Sequence, residues 1–279
     1  MRLCVRAVVT VLLIFLGSQA FAAEHRVLVC VGAKVYPSPT DPPIEDAVLI
    51  VSDGRIASVA PKSAAKLQLP DSARKIDCAG KVVVAGFWNS HVHFTTRWDN
   101  AATAPAAGLE SHMQEMLTRR GFTTVWDLGS VPQNTLALRR RVDAGEIPGP
   151  KILMAGDIFP KGGHPVYLPP EMQLPEAATP QEAEQMAKGY MALGLDGIKL
   201  FTGAFMGDKP VINMDTAIVK AAVDVAHAEG KPVFAHPQNR IGMDNALNGG
   251  VDILAHTIPE WGFTFTAADL AQMKRQTPR

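Results

Sequence analysis

Two hydrophobic patterns follow one another along the chain. Before residue 86, the segments "RVLVCVGAKVY" and "AVLIVSDGRIASVA" are rich in valine and isoleucine and predict strands, and Asp53-Gly54 inside the second segment predicts a tight turn. Together with "ARKIDCAGKVVVAG" they predict a small sheet within residues 24–85. From Phe87 onward, short apolar strands alternate with helical stretches, which indicates βα units and a parallel sheet.

The second pattern predicts six strands separated by helices. One helix begins at its cap Thr179 and stops at Gly194, and another runs from its cap Asp215 to Gly230. This alternation gives either an open doubly wound sheet or a closed barrel, and in a (β/α)8 barrel the reactive residues cluster at the C-terminal ends of the strands. The predicted strands are Gly86–His91, Thr123–Leu128, Lys151–Ala155, Gly197–Phe201, Pro232–His236 and Asp252–His256.

The first residues carry a third pattern. Arg2 and Arg6 precede an apolar stretch that ends at Leu16, and small residues follow up to Ala22. This order is typical of a secretory signal peptide over residues 1–22, with cleavage near Ala22. The apolar stretch is shorter than the roughly 20 residues that span a bilayer. We therefore expect a secreted or periplasmic protein with no stable membrane insertion after cleavage, rather than one held by an uncleaved anchor.

Composition narrows the class of partner. The formal net charge of the 279 residues is zero, so no broad electrostatic field favours a nucleic acid or an anionic membrane, and a small-molecule or peptide substrate is the better expectation. Signal cleavage leaves Cys30 and Cys78 in the chain. An oxidising compartment permits these two to pair, but we expect two separate buried thiols, because that is the commoner state of cysteines on neighbouring strands.

Polar residues stand at the ends of the predicted strands. His91 and His93 close the first strand, Lys199 lies in the fourth, and His236 and His256 end the fifth and sixth. Alternate strand residues share a face, so the first two imidazoles can bind one ion, and zinc accepts such ligands. A lone His–x–His pair is weak support, but a metal would satisfy all four histidines together. Lys199 is either a lysine whose ammonium reaches solvent or a carbamate formed with CO2 that bridges two metals.

Five motifs carry a resemblance to a known family. The segments "AGFWNSHVHF", "GFTTVWDLGS", "GLDGIKLF", "KPVFAHP" and "GGVDILAH", in this order, resemble the amidohydrolase superfamily, in particular its imidazolonepropionase-like and prolidase-like branch. The resemblance implies a TIM-like (β/α)8 barrel flanked by a small β-sandwich, with residues 24–85 as the N-terminal half of that sandwich. It also implies one or two divalent metals, most simply zinc, and hydrolysis of C–N bonds in amides, cyclic amides or dipeptides.

The resemblance also assigns residues to roles. It implies that His91 and His93 bind the deeper metal, that a carboxylated Lys199 bridges, and that His236 and His256 bind a second ion. Metal-activated water would then be the nucleophile. Similar Gly-Gly-His loops make His164, in "FPKGGHPVYLPP", a candidate for substrate binding, beside the simpler interpretation of a surface histidine.

One expected residue has no counterpart in this sequence. The family uses an aspartate at the end of strand eight as ligand and base, whereas after His256 the sequence supplies a loop and a sixth outer helix from about Thr266 to Lys274. We therefore expect residues 86–279 to form a partial barrel of about six βα units, from a truncated amidohydrolase. Trp126 and Asp127, at the end of the second strand, are as compatible with packing and a turn hydrogen bond as with substrate contact.

Two functional hypotheses remain. The first is a metal-dependent amidohydrolase, and the alternative is a catalytically silent remnant or metal-binding module that retains the histidines. A nucleotide-binding open sheet lacks support, because no glycine-rich phosphate loop follows any predicted strand. Substrate, metal identity and oligomeric state are not determined by the sequence.

Overall fold

The computed structural model describes residues 27–65, 69–95, 98–171 and 173–276, so the predicted signal peptide lies outside the described residues. The chain divides into two compact units, of which the first ends at Ala85 and the second begins at Gly86. Within the described ranges, no helix is both long and apolar enough to cross a bilayer.

The first unit is a small mixed sheet. Its strand order is β3-β2-β1-β4, with the short β5 also beside β1. The antiparallel pair β2 and β3 is joined at Asp53 and Gly54, whose positive φ values of 51° and 75° form the predicted tight turn. The strands are β1 (Val27–Val35), β2 (Ile44–Ser52), β3 (Arg55–Pro61), β4 (Arg74–Asp77) and β5 (Val82–Val83).

Cys30 and Cys78 form a disulfide in the core of this unit. Cys30 lies in β1, Cys78 follows the parallel neighbour β4, and their Cα atoms are 5.6 Å apart. This distance is within the usual range for a bridge, so the expectation of two separate thiols was wrong. The bridge is packed against Ala33, Val35 and Ala47, which form one buried cluster with the two cysteines.

The second unit alternates strands and helices as predicted. Its capping box is formed as the sequence indicates: the amide of Glu182 donates to Thr179 Oγ1 at 3.2 Å, and the amide of Thr179 donates to Glu182 Oε2 at 3.2 Å. Its elements are β6 (Phe87–Val92), α1 (Ala106–Met116), β7 (Phe122–Asp127), α2 (Pro132–Asp143), β8 (Lys151–Pro160), β9 (Glu176–Ala177), α3 (Pro180–Ala192), β10 (Gly197–Leu200), β11 (Gly203–Ala204), β12 (Ile212–Asn213), α4 (Thr216–Ala228), β13 (Val233–Ala235), α5 (Arg240–Gly249), β14 (Ile253–Leu254) and α6 (Ala267–Gln276).

Six of these strands form one curled parallel sheet. The order β14-β13-β10-β8-β7-β6 follows the chain, as expected for successive βα units. β6 and β14 lie at opposite ends of this order, yet the His91 ring, in β6, stacks on the His256 ring with centroids 5.7 Å apart. The sheet therefore bends as in a barrel, which confirms the predicted TIM-like class, and it brings its first and last strand ends together.

The alternation of side chains gives the sheet two different faces. Toward the helices, Ile198 and Leu200 of β10 pack with residues of α3 and α4 in the largest buried cluster. Toward the inside of the curl lies a smaller apolar cluster of Leu128, Ala155 and Phe234, with Trp126 and Ala255 against it. Lys199 lies between Ile198 and Leu200 in sequence, so it points to the inner face.

Candidate metal centre

A polar layer lies above the inner apolar cluster. His236 follows the inward-facing Phe234 by two residues, and Asp157 follows Ala155 by two residues, so both continue the inner face toward the C-terminal strand ends. Lys199 is on the same face of β10 and has only 1% of its surface exposed. His91 and His93 enter the layer from the end of β6, and His256 from the end of β14.

His91 and His93 face each other through their Nε2 atoms, 3.1 Å apart. The Nδ1 atom of His93 is 2.9 Å from the Gly129 carbonyl oxygen, and that of His91 is 3.4 Å from the Ala255 carbonyl oxygen. A carbonyl only accepts, so both Nδ1 atoms carry the proton and both Nε2 atoms present a lone pair. Two facing lone pairs repel each other unless a cation lies between them.

His256 and His236 repeat this arrangement. Nε2 of His256 lies 2.6 Å from Nδ1 of His236. Nδ1 of His256 donates to the Thr257 carbonyl at 2.8 Å, and Nε2 of His236 donates to Gln238 Oε1 at 3.1 Å. The two nitrogens that face each other are again left without a proton. Hydrogen bonds to carbonyl oxygens on the far side of metal-binding imidazoles are the usual means of orienting them.

The two pairs fit a divalent ion to different degrees. Two nitrogens bound at about 2.0–2.1 Å to one tetrahedral zinc lie about 3.3 Å apart. The His91–His93 separation of 3.1 Å is close to this value, whereas the His236–His256 separation of 2.6 Å requires that pair to open. Among the described residues, no three or more histidine, cysteine, aspartate or glutamate side chains are grouped closely enough to hold one ion. The imidazoles are thus two bidentate pairs.

The electrostatics of the layer favour the neutral forms of His91, His236 and His256. Burial lowers the pKa of His91 to about 4, and the positive charge of Lys199 acts in the same direction. Burial likewise lowers the pKa of His236 to about 3, with further contributions from His256 and Lys199. Neutral imidazole is the form that binds metal, so at neutral pH these side chains need lose no proton to do so.

Lys199 is buried opposite Asp157, which the sequence analysis did not identify. The two are direct partners in the parallel pairing of β10 with β8. Burial lowers the pKa of the Lys199 ammonium and raises the pKa of the Asp157 carboxyl, and each shift is opposed by the charge of the other residue. The predicted third strand ended at Ala155, whereas β8 continues to Pro160. The alternation from Leu153 through Ala155 would have placed Asp157 on the inner face.

The remaining predicted residues have other surroundings. Trp126 packs on Phe234 with ring centroids 4.9 Å apart, and Asp127 accepts hydrogen bonds from Ser130 and Thr135 at 2.7 and 2.6 Å. These contacts agree with packing and a turn hydrogen bond. His164 lies on the loop after β8, half-buried, with Nδ1 3.1 Å from the Pro165 carbonyl oxygen. Its role in substrate binding stays a prediction.

Comparisons with known proteins agree with this geometry. A sequence model described as "Amidohydrolase family" matches residues 82–265. The imidazolonepropionase of Rhizobium rhizogenes is 31% identical over 100 residues, which cover 36% of this chain and 24% of that protein. The guanine deaminase of Escherichia coli (strain K12) is 29% identical over 118 residues, which cover 34% of this chain and 27% of that protein.

A solved structure extends the similarity over most of the chain. A crystal structure assigned as a prolidase of Bifidobacterium longum has a TM-score of 0.64 and 29% identity, and the match covers 82% of this chain. It covers 54% of that chain, so the present chain spans about half the length of that structure and about a quarter of each curated relative.

Proposed function

Because the chain belongs to the amidohydrolase family, we propose that it is a metal-dependent hydrolase of C–N bonds in non-peptide amides, cyclic amides or dipeptides. The observation that supports metal dependence is the convergence of unprotonated imidazole nitrogens in two facing pairs, His91 with His93 and His236 with His256. Neutral nitrogen lone pairs this close together call for a cation, and imidazole donors suit zinc.

The chain contributes a preorganised donor set. His91 and His93 would hold one divalent ion and His236 and His256 a second, each oriented by its hydrogen bond to a carbonyl oxygen. A bound divalent ion supplies Lewis-acid chemistry, because it polarises a substrate carbonyl and lowers the pKa of water to about 7. The inner apolar cluster beneath these histidines excludes bulk water from one side of the site.

Lys199 is proposed to carry a carbamate between the two pairs. The neutral amine adds to CO2, forming an N–C bond and releasing one proton, which converts a cationic side chain into an anionic oxygen donor. Burial supports this reaction, because it lowers the pKa of the Lys199 ammonium and so increases the fraction of neutral amine. The ring of Phe201 lies 5.0 Å from Nζ and covers part of this buried side chain.

The substrate is proposed to be a small amide or a dipeptide. This proposal is supported by the relatives named imidazolonepropionase and guanine deaminase and by the structure assigned as a prolidase. Beside His236, the stacked rings of Phe159 and Phe201, with centroids 3.9 Å apart, are buried and support the site from beneath. His164, on the loop after β8, is proposed as a polar substrate contact.

Export is proposed as well. The N-terminal pattern of two arginines, an apolar stretch and small residues favours a secreted or periplasmic location. The Cys30–Cys78 disulfide supports the same location, since such bridges persist in oxidising compartments. Fractionation of expressing cells tests this proposal. The proposal would be contradicted if the protein were found in the cytoplasmic fraction with residues 1–22 still attached.

The test of the activity compares two histidine variants. Metal-free protein is reconstituted with zinc and bicarbonate and assayed against a panel of Xaa-Pro dipeptides and cyclic amides for release of an amine or acid. His93→Gln is expected to lose zinc and at least a hundredfold in kcat/KM, because one of two facing donors is removed. His227→Gln is the matched control, because this histidine lies on α4 and bonds to Asp252 at 2.9 Å.

Three results would contradict the proposal in different ways. The proposed metal dependence would be contradicted if the unmodified protein bound no zinc. Equal zinc content and equal kcat/KM in the His93→Gln and His227→Gln variants would contradict the assignment of His93 as a metal-binding residue. Tight zinc binding without hydrolysis of any substrate in the panel would favour a metal-binding module over an enzyme.

A further inference from the structure

Two loops touch each other at the C-terminal ends of neighbouring strands. The first loop follows β8, and the second contains the β11–β12 hairpin that follows β10. The amide of Val166 donates to the Phe205 carbonyl oxygen at 3.4 Å. A β-carbon at Gly163 would lie 3.0 Å from the Cβ of Ala204, and one at Gly207 would lie 3.7 Å from the Val166 side chain. The two loops therefore form one wall at the end of the sheet where the imidazoles converge.

This wall exposes apolar side chains. Val166 and Tyr167 each have 57% of their surface exposed, and Phe205 has 39%; these three residues are called the apolar rim. Residues 162–170 carry no acidic or basic side chain other than His164, and residues 203–207 carry none. Grouped exposed apolar side chains mark surfaces that bind a ligand or a partner, and loops at this end of a barrel-like sheet carry the substrate contacts.

A cavity connects the loop after β8 with the end of β6. Leu168, which follows Tyr167, lines this cavity from the first loop. Phe94 and Thr95, the two residues after His93, line it from the other side. The segment that carries Tyr167 therefore runs along the side of the site where the first imidazole pair lies.

Tyr167 also lies near the inner polar layer. Burial raises the pKa of the Tyr167 phenol, and the negative charge of Asp157 acts in the same direction. Asp157 projects from the inner face of β8, opposite Lys199. A side chain that is more than half exposed, yet close enough to an inner carboxylate to respond to its charge, lies at the boundary between the site and solvent.

We propose that Tyr167 is a specificity-determining residue of the candidate site, whose ring, together with Val166 and Phe205, binds an uncharged apolar group of the substrate. This inference rests on the proposed function and narrows its substrate class to amides and dipeptides that carry an aliphatic or aromatic side group. An apolar group gains by leaving water at the apolar rim, whereas a charged group would lose hydration there without meeting a counter-charge on the rim.

Binding of two probes to the metal-free protein tests the apolar rim without any turnover. N-acetyl-phenylalanine methylamide and N-acetyl-aspartate methylamide differ only in the side group. In titration calorimetry, the unmodified protein should bind the phenylalanine probe about tenfold more tightly, or better. Tyr167→Ala should lose most of this preference. Tyr167→Phe keeps the ring, so it should bind the phenylalanine probe more tightly than Tyr167→Ala does.

Leu193→Ala is the matched control, because it also removes an exposed apolar side chain. Leu193 follows α3 and precedes β10, so it lies at the end of the sheet opposite the imidazoles. Both alanine variants should keep the melting temperature of the unmodified protein, since neither side chain is buried.

The outcomes separate this inference from the proposed function. Equal binding of the two probes by the unmodified protein overturns the inference, as does the same preference in Tyr167→Ala and Leu193→Ala. A preference that depends on Tyr167, in a protein that hydrolyses no substrate of the panel, would support the apolar rim as a binding surface and contradict only the proposed activity.

Discussion

Gly129→Ala is the substitution that tests the position of His93 most directly. Gly129 has a φ of +150°, a region that is essentially restricted to glycine, and its carbonyl oxygen is 2.9 Å from Nδ1 of His93. A β-carbon there would lie 2.9 Å from His93 Cε1, 3.0 Å from His93 Nδ1 and 3.1 Å from Asp157 Oδ2. The imidazole must therefore move away from the place where it faces His91.

Two effects set the size of the change. A non-glycine residue in this backbone region costs about 1–3 kcal/mol of stability. Disturbing the hydrogen bond that orients a metal-binding imidazole lowers metal affinity by about 10–100-fold, which corresponds to about 1.4–2.8 kcal/mol of binding free energy. We expect Gly129→Ala to show both losses, whereas strain alone would produce only the first.

Gly145→Ala is the matched control for backbone strain. Gly145 also has a positive φ, +72°, but a β-carbon there would meet nothing within 4 Å. Urea denaturation of the metal-free proteins measures the strain, and zinc titration against a chelator measures the site. The reasoning would be refuted if the two variants bound zinc equally well.

Two further predictions concern the disulfide and the pH dependence of stability. Protein that lacks residues 1–22 should show no reactive thiol when it is denatured without a reducing agent. After reduction, the thiols of Cys30 and Cys78 should react. Two reactive thiols before reduction would contradict the bridge. The metal-free protein should lose stability as the pH falls from about 6.5 to about 4. Imidazoles of the unfolded chain bind protons near pH 6.5, whereas burial in the folded protein lowers the pKa of His91 to about 4 and that of His236 to about 3. The unfolded state therefore binds more protons in this pH range and is favoured. Urea denaturation at both pH values measures this loss, which should be smaller in His236→Gln; an equal loss in that variant would count against the burial argument.

The order of the elements and most of the side chains that meet in the candidate site could be predicted from the sequence. Apolar strands that each end in a polar residue predicted a parallel sheet whose polar side chains meet at the C-terminal ends of the strands. In the structure, these strand ends bring together His91, His93, Lys199, His236 and His256. The start of α3 could be predicted because its cap uses only local contacts between Thr179 and Glu182. Local hydrogen bonding and strand alternation are properties of short sequence segments.

The extent of β8 could not be predicted in this way. Gly156 and Asp157 interrupt an apolar run, a pattern typical of a turn. In the fold, a β-carbon at Gly156 would lie 2.3 Å from the ring of Tyr190, so this glycine lets α3 pack closely on the strand. The disulfide likewise depended on the distance between two strands that are far apart in the chain, since Cys30 and Cys78 have a sequence separation of 48.

The bending of the sheet has a consequence for the folding of the second unit. His91 in β6 and Ala255 after β14 are in contact, although 164 positions separate them in the chain. Contacts of such long range form late, because loop closure costs entropy before the contact stabilises anything. His91 can form this hydrogen bond only after β14 has docked, so under the proposed function an emerging or partly folded chain would bind the cation with less than full affinity. Zinc affinity would therefore measure the completed folding of this unit.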